Sequence, residues 1–107
     1  MRISTKECDI SQAVKEKVWA RDKERCIYCG SWNAMPNSHY VPRSHLGLGI
    51  EENIVTLCAN CHHNFDHTDL RQIYKDYIRE YLKEKYPNWD ESKLVYRKWD
   101  SDFNWRY

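Results

Sequence analysis

Apolar and polar positions alternate along the chain in three distinct ways. From about Ser11 to Asp22, Ile10, Val14 and Val18 recur every fourth residue beside Ala13 and Lys17. That spacing predicts a helix with one apolar edge. Asp9 or Ser11 is placed to cap it, and Asp9 with Gln12 resembles a capping box. The pattern then shortens. His39-Tyr40-Val41, stopped by Pro42, and the β-branched run Ile54-Val55-Thr56-Leu57 read as two strands. A loop of 43–53 with turns at Gly47 and Gly49 joins them, and Ser31 to Ser38 reads as a loop rich in turn formers. Helical spacing returns from about Ala59 to Asp66. It returns again from Thr68-Asp69 to Lys85, where Leu70, Ile73, Tyr74, Tyr77, Ile78, Tyr81 and Leu82 form a continuous stripe that Pro87 ends. The aromatics beyond it (Trp89, Tyr96, Trp99, Phe103, Trp105 and Tyr107) predict a docked tail. Trp32 is expected to cap the core beside Cys29.

Length changes this picture little: 107 residues make one domain, 1–107, of α+β class with a modest core that a metal staple would help. Charge is nearly balanced at +1, so nucleic-acid binding would rest on a local patch and a divalent ion rather than a broadly basic surface. No apolar run approaches the roughly 20 residues of a membrane span. Together with the absence of a signal peptide, this predicts a soluble, cytoplasmic protein.

Cysteine spacing changes it most. Cys26-x-x-Cys29 and Cys58-x-x-Cys61 are two paired thiols of the kind that share one tetrahedral zinc, and Cys8 is left over. Disulfides are the rival reading, but they need an oxidising compartment. The stretch between the pairs exceeds the usual zinc-ribbon spacing and carries His39, Pro42, Arg43 and Asn53. His62, His63, Asp66 and His67 follow Cys61. His62 and Asp66 are four apart and share one helix face, as do His63 and His67, about 100° further round. Either pair could grip an ion. A carboxylate favours His62 and Asp66 for Mg²⁺ or Mn²⁺.

Taken in order, Cys26-x-x-Cys29-Gly30, His39-Tyr-Val-Pro42, Gly47-Leu-Gly49 and Asn53-Ile-Val-Thr-Leu-Cys58-x-x-Cys61-His62 resemble the HNH endonucleases over about residues 17–67. The resemblance implies a ββα-metal core with a flanking N-terminal helix and a C-terminal extension over 68–107. It implies metal-dependent hydrolysis of DNA phosphodiesters to 5′-phosphate and 3′-hydroxyl ends, in a bacterial or phage-infected cell. His39 would be the general base, its ring oriented by a carbonyl near Asn53. His62 and Asp66 would hold the catalytic divalent metal, and the four cysteines a structural zinc. Arg43 reads as a phosphate clamp. Asn53, the middle asparagine of the pattern, pins the long loop or helps the metal. One departure stands out: many of these nucleases carry Asp or His just before the base, where this chain has Ser38. The alternative from another class is a non-catalytic zinc module that binds nucleic acid or protein.

Overall fold

A computed structural model describes residues 6–96. Its elements are α1 (Gln12–Arg21), β1 (Ala34–His39), β2 (Ile54–Cys58), α2 (Ala59–His67) and α3 (Arg71–Lys85), with single 3₁₀ turns at Lys6–Cys8, Arg43–His45 and Glu91–Leu94. The result is an α+β domain with a two-stranded antiparallel sheet, three helices and a cluster of four cysteines. The aromatics at Trp99, Phe103, Trp105 and Tyr107 lie outside the described residues. Among the described residues, no helix is long and apolar enough to cross a membrane.

Ser11 caps α1. Its hydroxyl accepts the N–H of Val14, so the cap is a single serine, not the Asp9–Gln12 box. The two remaining helices, α2 and α3, end close to where periodicity places them. Thr68 separates α2 from α3 by donating to the Asn64 carbonyl and accepting the N–H of Leu70. This is a side-chain competitor for the helical backbone of the kind that interrupts helices. Only part of the α3 stripe is buried: Tyr74, Ile78 and Leu82 line the core, while Leu70, Ile73 and Tyr77 stay exposed.

The first strand lies earlier than expected. Residues 34–39 pair with β2 in the register Ala34 to Cys58, Met35 to Leu57, Ser38 to Val55 and His39 to Ile54. Three steps on β1 oppose two on β2, so Pro36 and Asn37 accommodate one extra residue as a β-bulge. Proline has no N–H for a ladder and is tolerated at such a break, which is why this stretch reads as a loop in the sequence. Tyr40 and Val41 follow the strand and turn into the loop. Trp32 is also misplaced by the sequence reading. It is 68% exposed, with the Arg25 guanidinium 4.2 Å from its ring centre, and caps nothing.

The loop between the strands is held by close backbone approaches. Gly47 and Gly49 do not supply left-handed turns; that conformation falls to Leu46 at φ 66°. A Cβ on Gly47 would sit 1.7 Å from the Val41 carbonyl oxygen, and one on Gly49 would sit 2.0 Å from that of Asp9. The Gly49 N–H donates to the Glu7 carbonyl, and Leu48 donates to Leu94. The inter-strand loop is thus clamped between both ends of the described chain. Trp89 adds to this by donating from Nε1 to the Glu52 carbonyl and packing edge-on against Tyr40.

A buried carboxylate links the helices to the sheet. Asp22, just after α1, is 3% exposed. It takes both nitrogens of the Arg21 fork, the Thr56 N–H of β2 at 2.9 Å and the Tyr81 hydroxyl of α3 at 2.6 Å. Arg21 also donates to the carbonyls of Glu51 and Ile54. Removing one side of a buried charge network strands the other, at a cost of about 3–5 kcal/mol. Asp22→Ala is expected to lose stability on that scale in urea unfolding, and Tyr81→Phe about 1–3 kcal/mol for one deleted partner. Unchanged midpoints in both variants would show that the network contributes nothing net.

Candidate functional site

Two centres emerge. The first is the cysteine cluster. Cys26 and Cys29 precede β1, Cys58 ends β2 and Cys61 lies in the first turn of α2, and their four sulfurs lie within 4.8 Å of one another. Cys29 and Cys58 Sγ are 3.6 Å apart. Sulfurs at tetrahedral corners around zinc, with bonds of about 2.3 Å, are separated by about 3.8 Å, so both the donor set and its spacing fit zinc. The knuckle form follows from local backbone geometry. Gly30 takes φ 79° after Cys29, and the N–H groups of Cys29 and Cys61 point at the sulfurs of Cys26 and Cys58, each at 3.4 Å. Burial works to raise the Cys26 thiol, but backbone N–H groups of Cys29, Cys58 and Tyr28 outweigh it and bring it down to about 7. Burial pushes the Cys61 thiol up, opposed by the Tyr74 hydroxyl, which donates to its sulfur at 3.5 Å. Tyr74 in turn accepts from Asn64. Such outer partners orient metal ligands. The helix stripe had suggested no such role for Tyr74; a tyrosine at a helix position facing two knuckles was the only signal.

The second centre is a polar cleft of about 320 Å³ between the end of β1, the turn that follows it, and α2. It gathers His39, Arg43, His62 and Asp66, four of the residues singled out in the sequence, together with His67. His62 Nε2 and Asp66 Oδ2 are 2.9 Å apart on one face of α2, both about one-third exposed. The alternative pair is split. His67 reaches the cleft wall, whereas His63 is exposed on α2 and does not line it, although the two rings lie 5.4 Å apart. Among the described residues, the four cysteines are the one group of three or more His, Cys, Asp or Glu donors close enough to share an ion. His62 and Asp66 could contribute two donors to a divalent metal, after giving up their contact with each other.

His39 is half-buried, and a hydrogen bond of 2.9 Å joins its Nε2 to the carbonyl of Cys8. A carbonyl only accepts, so Nε2 carries the proton and the neutral ring keeps its lone pair on Nδ1. The orienting carbonyl therefore comes from the N-terminal turn rather than from the neighbourhood of Asn53. Burial lowers the His39 pKa below the usual 6.5, as do Arg43 and His62. The Cys8 carbonyl and Asp66 pull the other way. The net effect favours the neutral ring that a base requires at neutral pH.

Asn53 is fully buried, and its amide is spent on the backbone. It accepts from Val41 N–H at 2.8 Å and donates to the carbonyls of Leu48 and Val41. That is the loop-pinning role, and it fixes where the chain leaves β1. Ser38 is fully buried, and its hydroxyl has no hydrogen-bond partner, so it is turned into the core rather than toward the cleft. Arg43 lines the cleft and pairs with exposed Asp9. A surface pair of this kind is worth at most about 1 kcal/mol, so an incoming phosphate can compete for the guanidinium.

Three cleft residues, Asn37, Ser44 and Arg71, were not singled out as site residues in the sequence. Arg71 opens α3 at the cleft wall. A cation in the first turn of a helix opposes the macrodipole, and that mismatch was its available signal. Asn37 sits in the β-bulge, which periodicity could not reveal. A larger hollow beside Cys26 and Cys29 carries Lys23, Arg25 and Lys85. Against family models, curated proteins and solved structures, the chain shows no significant match.

Cys58→Ser is expected to reduce bound metal from about one zinc per chain to none, read by elemental analysis of purified protein. It is also expected to lower the thermal midpoint as chelation does, because the ion's binding energy is folding energy. Full zinc retention, or a melting curve indifferent to chelator, would refute the four-thiolate assignment.

Proposed function

We propose that the chain is a metal-dependent endonuclease of the HNH type that hydrolyses DNA phosphodiester bonds. The observation that carries this reading is that one cleft brings together a half-buried histidine held neutral and a His–carboxylate pair, with arginines on its wall. Strand, loop, strand and helix follow in the order the resemblance implies, with the helix starting at the second cysteine pair.

Nδ1 of His39 takes a proton from the attacking water while the Cys8 carbonyl keeps the ring in the required tautomer. His62 and Asp66 would hold a Mg²⁺ or Mn²⁺ ion, which when bound would supply Lewis-acid stabilisation of the phosphate and the leaving oxygen. Arg43 and Arg71 bind phosphate oxygens and set the strand in register with His39. The four-cysteine zinc is structural. It fixes the end of β2 and the first turn of α2, and thereby the placement of His62 relative to His39.

His39→Ala is expected to reduce cleavage by at least about a hundredfold, the ordinary size of a general-base contribution. Melting and zinc content should not change. Added imidazole should restore part of the rate, because it supplies the lost base in the vacated space. A variant that cuts at the wild-type rate would exclude His39 as the base. A wild-type protein that binds DNA without cutting it under any metal would favour the non-catalytic zinc module.

A further inference from the structure

Two of the residues in the cleft are explained as metal donors, yet a hard divalent cation normally takes six or more oxygen or nitrogen ligands. Water can fill several positions, but a site with only one histidine and one carboxylate from the protein is weakly defined. The residue that the resemblance offers as a further ligand, Ser38, is buried with its hydroxyl turned into the core. Its neighbour behaves differently. Asn37 lies in the bulge that shifts β1 by one residue against β2, and it is among the residues that line the cleft with His39, His62 and Asp66. Bulges re-aim side chains beside functional sites.

The Asn37 amide is also unexplained by the fold. Its Oδ1 is shielded from solvent and has no hydrogen-bond partner. A buried carbonyl left unpaired costs about 1–3 kcal/mol, and native structures rarely keep one without a reason. Asn53 provides the contrast within the same chain, since each end of its amide is satisfied by backbone. The terminal amide torsion of asparagine is soft, so the oxygen can turn toward the cleft at little cost. An amide oxygen is a suitable hard neutral ligand for Mg²⁺ or Mn²⁺.

Resting on the endonuclease reading above, we infer that Asn37 is the third protein donor to the cleft's divalent cation, alongside His62 and Asp66. The bulge delivers the residue before Ser38 to the position from which Ser38 itself is withdrawn. Asn37 therefore contributes an oxygen without adding a second negative charge beside Asp66 or competing for the proton on His39.

The test is a Mn²⁺ titration of the full, zinc-loaded chain, followed by the loss of the free-ion electron paramagnetic resonance signal. It compares wild type, Asn37→Ala, Asn37→Asp and His62→Ala, with zinc content and circular dichroism reported for each. Asn37→Ala should weaken Mn²⁺ binding about tenfold or more, the scale on which a lost site group acts. Asn37→Asp, which restores an oxygen and adds a charge, should bind at least as tightly as wild type. If His62→Ala loses Mn²⁺ while both Asn37 variants bind as wild type does, Asn37 is not a ligand and the cleft's metal pair stands without it. Weakened binding in Asn37→Asp as well as Asn37→Ala would also overturn the donor role, since oxygen chemistry would then not be what matters. A wild type that takes up no Mn²⁺ at millimolar concentration would defeat this inference and the metal part of the endonuclease reading together.

Discussion

Four sulfur atoms within 4.8 Å of one another mark the point where three parts of this fold converge. They join a turn before β1 to the last residue of β2 and the first turn of α2, and so decide how the hairpin meets the helix. A chain of this length buries a limited core, and an ion such as zinc held by the four cysteines would add a large, local term to folding. The core gathers around the cage: Tyr74 donates to Cys61, Tyr28 stacks on Tyr74 at 4.2 Å, and Ile78 and Leu82 continue inward along α3. Beside the same cysteines, the Arg21–Asp22 network ties α1, β2 and α3. Both contact the hairpin, whose first strand ends at the cleft.

The cleft inherits its geometry from parts that look unrelated to it. His39 is the last residue of β1, yet its ring is set by the carbonyl of Cys8 in the N-terminal turn. That turn is held in place by Gly49, whose missing side chain lets the Asp9 carbonyl approach. Asn53 fixes the same loop from inside through Val41 and Leu48. Thus a glycine, an asparagine and a backbone oxygen orient the His39 ring, while burial favours its neutral form.

Much of this was legible in the sequence, for definite reasons. Cysteine pairs at a two-residue spacing and the i, i+4 relation of His62 to Asp66 are local patterns, and the structure brings each together. Helix limits were readable because Ser11, Thr68 and Pro87 act on their own neighbours. What escaped depends on contacts distant in the chain. β1 was hidden by Pro36 and its bulge, so Asn37 read as a turn former rather than a cleft residue. Asp22 reads as part of a charged turn, and only the fold shows Thr56 and Tyr81 converging on it. Gly47 and Gly49 looked like turn formers, whereas the structure uses them for close backbone approach. The carbonyl that orients His39 comes from a segment without any side-chain signal.

The most direct measurement of the central claim is a DNA-cleavage assay on the purified, zinc-loaded chain. Supercoiled plasmid would be incubated with chelator, Mg²⁺ or Mn²⁺, and the product ends typed by ligation and by labelling with and without phosphatase. The account predicts cleavage only when Mg²⁺ or Mn²⁺ is added, leaving ligatable 5′-phosphate and 3′-hydroxyl ends. A folded, zinc-loaded protein that leaves the plasmid intact with every metal, or cuts it equally well in chelator, would contradict it.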